Sequence, residues 1–226
     1  MKRNQSGFTL IEIAIVLVII GLLLGGVLKG QELINSAKVK SLATDFRNIP
    51  VYIYGYQDKY RAIPGDDKMA ASHVAAAGVT VTNGDGNGLI DDNWNGGANE
   101  SHTFWQHVRL AGLAPGPTST IADDYVPINS VAGEIGIQSG TTVLDNATFG
   151  APIKDTAGPN TPIRGTYIIC SKNILGKFAK QLDIQLDDGN TGTGAMMAGP
   201  YVAAGTTITA DDSLDDASVY TVCMGV

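Results

Sequence analysis

The chain reads as an α+β protein that begins with one very long helix and ends in a β-containing head. Three observations predict this. From Phe8 to Leu28 the residues are apolar or small almost without a break. Leu42, Phe46, Ile49, Ile53, Tyr56 and Tyr60 then recur at alternating spacings of four and three, a single stripe along a helix. Toward the far end, Thr166–Cys170 and Ser218–Cys223 are short runs with β-branched and aromatic content, which favours strands.

The first apolar stretch is roughly 20 residues long, enough for a helix to span the hydrocarbon core of a bilayer. Its only ionisable side chain is Glu12. A carboxylate costs about 2–3 kcal/mol at the centre of a membrane span and less toward the interface, so its presence marks a functional position. Before the span lies a short polar leader, Met1 to Gly7, with Lys2 and Arg3. Its positive charge keeps that end in the cytoplasm. An ordinary secretory signal would place a small-residue cleavage site after the apolar region. Here Lys29 and Gln31–Ile34 continue the helical pattern, and the small residue that stands out lies before the span, at Gly7.

Gly7-Phe8-Thr9-Leu10-Ile11-Glu12, set between a basic leader and an apolar helix, resembles the class III leader of type IV pilins and type II secretion pseudopilins. The resemblance implies a long helix packed on a C-terminal, mainly antiparallel β head. It implies that a prepilin peptidase cuts after Gly7 and that Phe8, the new first residue, is N-methylated. It also implies that Glu12 stays in the span to pair with the N-terminal amine of a neighbouring subunit. That agrees with the need of a buried carboxylate for a cation. The organisation expected is a cleaved leader over 1–7, a transmembrane and polymerisation helix over 8–28, an amphipathic helix half over 29–62 and an extracytoplasmic head over 63–226. Such a subunit sits in the inner membrane as a single pass with a periplasmic head. It polymerises with copies of itself or with other pilin-like chains into a periplasmic or cell-surface filament. Gly21 matches a helix-loosening Gly of the family, whereas the Pro that many relatives carry near Lys29 is missing. A second reading, from another class, is a membrane-anchored calcium-dependent adhesin that stays single. Gly7-Phe8 together with Glu12 separates the two, because a mere anchor needs neither.

The formal net charge is −7, and loss of Lys2 and Arg3 with the leader makes the rest more negative. An acidic head is a poor match for phosphates, so no nucleic-acid partner is expected. The two cysteines, Cys170 and Cys223, sit in strand-like surroundings, and an even count outside the cytoplasm favours one disulfide. A bridge over that separation stabilises by roughly 4 kcal/mol on the chain-entropy model.

The Leu42–Tyr60 stripe makes the second half of the helix amphipathic, and Pro50 and Gly55 are expected to bend or locally open it. Ile63-Pro64-Gly65-Asp66-Asp67 ends it. A short Ala-rich helix is expected within 68–81 and another over 103–113, its apolar face formed by Phe104, Trp105, Val108 and Ala111, with His107 on its surface or at a cap. Short strands are expected at Gly133–Ile137 and Thr141–Leu144. Leu175 to Leu186 reads as a helix with Phe178, Leu182 and Ile184 inward, and Leu186–Gly192 as a turn.

One loop carries a metal-like pattern. Asn83, Asp85, Asn87 and Asp91 fall at positions 1, 3, 5 and 9 of a calcium loop, with Gly88 at position 6, the Leu89 carbonyl at 7 and apolar Ile90 at 8. It departs from the EF-hand pattern at position 12, where Trp94 replaces the bidentate Glu; Asp92 or the more distant Glu100 are the available substitutes. Calcium of modest affinity is therefore the one cofactor expected. His73, His102 and His107 lack the spacing of a zinc site. No nucleophile, metalloprotease or phosphate-loop motif occurs, so no catalytic residue is assigned and an enzyme is not the expectation.

Overall fold

The computed structural model describes residues 9–97, 99–156, 158, 160–203 and 205–226. Two compact units divide the chain, Met1–Lys38 and Val39–Val226.

The first unit contains the opening turns of α1, the helix Leu10–Tyr60. Every apolar side chain from Leu10 to Ala37 is exposed. This stretch is long and apolar enough to cross a membrane, and exposure on all sides is what a lipid-facing or helix-packed segment requires.

In the second unit the same helix turns one face inward. Val39, Leu42, Ala43, Phe46, Ile49, Ile53 and Tyr56 are buried, following the stripe in the sequence. The helix runs unbroken through Pro50 and Gly55. A Cβ on Gly55 would lie 3.2 Å from a methyl of Leu113, so this Gly admits a close neighbour instead of opening the helix.

The remaining elements are α2 (Ala70–His73), α3 (Glu100–Leu110), β1 (Ile135–Ser139), β2 (Ile153–Lys154), β3 (Tyr167–Leu175), α4 (Gly176–Leu186), β4 (Met196–Gly199), β5 (Ile208–Thr209) and β6 (Val219–Gly225). A four-stranded sheet has the order β1-β3-β6-β4 and is antiparallel throughout. β2 and β5 form a small parallel pair. The fold is thus a long apolar helix followed by an antiparallel four-stranded sheet, the α+β layout expected.

Strand alternation gives that sheet two buried faces. Ile135, Ile137, Tyr167, Ile169, Met196, Ala198 and Val222 share a core with Leu42, Phe46 and Ile53 of α1, Phe104 and Val108 of α3, and Phe178 and Leu182 of α4. On the other face Ile168, Cys170, Met197 and Cys223 pack with Trp94, Ile153, Ile163 and Ile208. Both faces being covered explains why β3 begins with five consecutive buried residues.

The short Ala-rich helix is present as the single turn α2. Three local expectations need correction. Thr141–Leu144 forms no strand. Ile184 is 70% exposed, because it projects from the side of α4 opposite Phe178 and Leu182. His107 is fully buried instead of lying at a surface or cap. α3 is enclosed on nearly all sides, from Ser101 and from Thr103 to Arg109, so its polar residues have no outer face to occupy.

Candidate functional site

The start of α1 is built on a reciprocal cap. The Thr9 backbone N–H donates to Glu12 Oε2 at 2.8 Å and the Thr9 hydroxyl donates to the same oxygen at 2.7 Å. In return the Glu12 N–H reaches Thr9 Oγ1 at 3.3 Å. This is the Thr-x-x-Glu capping box, which satisfies two backbone donors that a helix N-terminus leaves orphaned. Glu12 therefore has a local task in addition to the one implied by resemblance. The Thr-x-x-Glu spacing of three, visible in the sequence, is the signal for it. Gly7 and Phe8, the expected cleavage and methylation positions, lie outside the described residues.

A second constellation surrounds Asp66 and Asp67, just past the end of α1. Both are buried. Asp67 Oδ2 accepts the Tyr56 hydroxyl at 2.7 Å and lies 2.7 Å from His73 Nδ1, while Oδ1 accepts the Met69 N–H. Burial pushes the Asp67 carboxyl up, but its hydrogen bonds with His73, Tyr56 and Met69 outweigh that and hold it below the ordinary value.

Asp66 faces the Asn83 loop. Its Oδ1 accepts the N–H groups of Gly86 and Asn87, at 2.7 and 2.9 Å, and its Oδ2 accepts that of Gly88 at 2.9 Å. Gly86 and Gly88 both have positive φ, 77° and 93°, which lets successive N–H groups converge on one carboxylate. At Gly84 the loop comes so close that a Cβ would stand 2.3 Å from the Asp66 carbonyl carbon. Glu100, in the first turn of α3, accepts the N–H groups of Asp85 and Asp91 at 2.9 and 3.0 Å. Asp66 and Glu100 thus grip the loop from two sides.

One oxygen each from Asp66, Asp85 and Glu100 lie within 4.8 Å of one another. Burial raises the Glu100 carboxyl above its ordinary value, with the charges of Asp66 and Asp85 adding to the effect. Burial likewise raises Asp66, against the pull of its three backbone donors. Of the loop residues with calcium spacing, Asp85 joins this group. Asn83 turns away, its Oδ1 accepting the Ala71 N–H at 2.8 Å. The Asn87 amide donates to Asp85 Oδ2 at 3.0 Å and Asp91 Oδ2 at 2.6 Å, and Leu89 is 41% exposed. Asp66, absent from the sequence pattern, completes the group because the chain returns to it across 17 residues or more. An all-oxygen, carboxylate-rich set has the donor chemistry of a hard cation.

His107 is a tie of another kind. Its Nδ1 accepts the Gly65 N–H at 2.9 Å, and its Nε2 lies 2.7 Å from the Thr82 carbonyl oxygen. It joins the entry to the Asn83 loop at Thr82, the Pro64–Asp66 corner and α3. Burial holds its imidazole below the ordinary value, so it is a neutral structural group.

Cys170 and Cys223 are bridged, as directly opposed residues of β3 and β6. Both sulfurs lie inside the second core cluster.

No curated protein and no solved structure matches the chain. Residues 2–28 match the family model described as the prokaryotic N-terminal methylation motif. That motif implies processing by a prepilin peptidase and assembly with other pilin subunits, and with the apolar helix it fits a membrane-anchored structural subunit rather than an enzyme. By its first 28 residues, this chain carries the signature of the prepilin-type proteins, the type IV pilins and pseudopilins.

Proposed function

We propose that the chain is a filament subunit, a type IV pilin-like or type II secretion pseudopilin protein that polymerises through the apolar part of α1. The observation that carries this reading is Glu12, one carboxylate in an otherwise apolar, exposed stretch within the methylation motif. Its capping bonds with Thr9 occupy one oxygen, Oε2. The other is left to meet a cation, and the N-methylated amine of Phe8 on a neighbouring subunit supplies one at the matching depth. Pairing removes the cost of two separate charges in hydrocarbon and sets the axial register. Cleavage after Gly7 precedes it, and the head stays on the periplasmic side or reaches the cell surface. A head stabilised by calcium at Asp66, Asp85 and Glu100 belongs to the same proposal, on the strength of that donor set alone.

Mass spectrometry of the mature N-terminus together with the sheared filament fraction tests the reading. A methylated Phe8 terminus in filaments supports it. A processed chain that stays entirely in the membrane as a monomer would instead support the single, anchored calcium-dependent adhesin.

A further inference from the structure

A different acidic group closes the C-terminal end of α4. Asp183, in the last turn, and Asp187 and Asp188, just beyond it, each place one oxygen within 4.8 Å of the others. Asp183 has no exposed surface. Its Oδ1 accepts the Gly189 N–H at 2.6 Å, but its buried Oδ2 meets no hydrogen-bond donor. Asp187 Oδ2 accepts the N–H groups of Ala195 and Met196 at 2.6 and 2.9 Å, so the chain entering β4 folds back over the group. Asp188 Oδ1 accepts the Asn190 N–H at 2.9 Å and its side chain remains at the surface.

The electrostatics run one way. The C-terminal end of a helix carries partial negative charge and normally attracts Lys or Arg. The last turn of α4 has no basic residue, and among the described residues none of the three carboxylates forms an ion pair. Three negative groups therefore meet a helix end of the same sign. One of them is sealed from water with an unsatisfied oxygen, a costly arrangement without a counter-charge.

We propose that Asp183, Asp187 and Asp188 form a calcium site at the α4–β4 turn. Asp183 is the inner anchor and supplies Oδ2, Asp187 ties the site to β4, and Asp188 closes it from the solvent side. Calcium suits the set better than magnesium. It accepts an irregular shell of carboxylate, backbone and water oxygens, whereas magnesium demands a near-ideal octahedron and keeps most of its own water. The site is independent of the Asp66–Asp85–Glu100 group and of filament assembly.

The test is calorimetric titration of CaCl2 into the chelated full-length protein in detergent at pH 7.5, with thermal unfolding in parallel. Wild type is expected to bind calcium and to unfold at higher temperature with it. Asp188→Asn, a change at an exposed side chain, should weaken one binding event by about tenfold or more as the ligand charge falls. Asp183→Asn should weaken the same event. Glu100→Gln should leave that event intact, which separates this site from the Asn83 loop. Absence of calcium binding to wild type overturns the proposal. So does unchanged titration of Asp188→Asn, which remains decisive if Asp183→Asn does not fold. Magnesium binding as tight as calcium binding would overturn the calcium assignment.

Discussion

Glu12 and Thr9 close on each other at the head of α1, the carboxylate taking both the backbone N–H and the hydroxyl of Thr9 through one oxygen. A residue that caps its own helix can be replaced in ways that separate capping from charge. Glu12→Gln keeps a carbonyl oxygen for the Thr9 N–H and loses the charge. Insertion should match wild type, while filament yield in sheared fractions falls severely. Glu12→Ala should lose the cap as well, at about 0.5–2 kcal/mol of helix stability. Wild-type filament yield from Glu12→Gln would remove Glu12 as the register element.

Leader removal should depend on Gly7, the one glycine between the basic residues Lys2 and Arg3 and the apolar run. Gly7→Leu is expected to leave the leader attached, seen as slower gel migration and an N-terminal sequence starting before residue 8. Normal maturation of that variant would contradict the class III reading.

The Asn83 loop gives a calcium prediction of its own. Removing divalent cations should lower the unfolding temperature of wild type, and Glu100→Gln should reduce the calcium-dependent part of that difference. Glu100 also holds the N–H groups of Asp85 and Asp91, so the variant should expose the loop to limited proteolysis. Equal protease resistance in variant and wild type would show that Glu100 does not grip the loop.

His107→Ala should destabilise the head by about 2–3 kcal/mol, because a buried N–H at Gly65 and a carbonyl at Thr82 lose their partner. Chemical denaturation in detergent measures it. A change within about 0.5 kcal/mol would place water in the role of the imidazole.

Asp45 supplies a pH prediction. Burial on α1 raises its carboxyl from 3.8 to about 6. Folding therefore favours the protonated form. The stability this contributes is fully present below the unfolded value and is lost as pH rises through about 6. Asp45→Asn should match wild type near pH 4 and exceed it at pH 8 by on the order of 1 kcal/mol. Parallel stability curves for the two proteins would refute the shift.

How far the sequence could be read depends on the range of each interaction. The α1 stripe was legible because its face is repeated locally, residue by residue, and Leu42, Phe46, Ile49, Ile53 and Tyr56 are all buried as the spacing requires. The disulfide was legible from two cysteines in strand-like runs. β4 and β5 were not. Met196–Gly199 has little strand propensity and becomes a strand because the edge of β6 pairs with it. His107 misled because amphipathic periodicity assumes one wet face, and α3 has almost none. The acidic group at Asp85 was half legible. The loop announces its own oxygens, but Asp66 and Glu100 reach it only through the fold.

The cysteine bridge acts as a record of where the head folded. Its sulfurs lie between the four-stranded sheet and the layer of Trp94, Ile153, Ile163 and Ile208, with both cysteines fully buried. An oxidant can reach them only while that layer is open. A head that closed in a reducing compartment would keep two thiols shut away from later oxidation, and one that closed outside would keep a bridge shut away from later reduction. The redox history of each copy is sealed in at the moment its second layer docks.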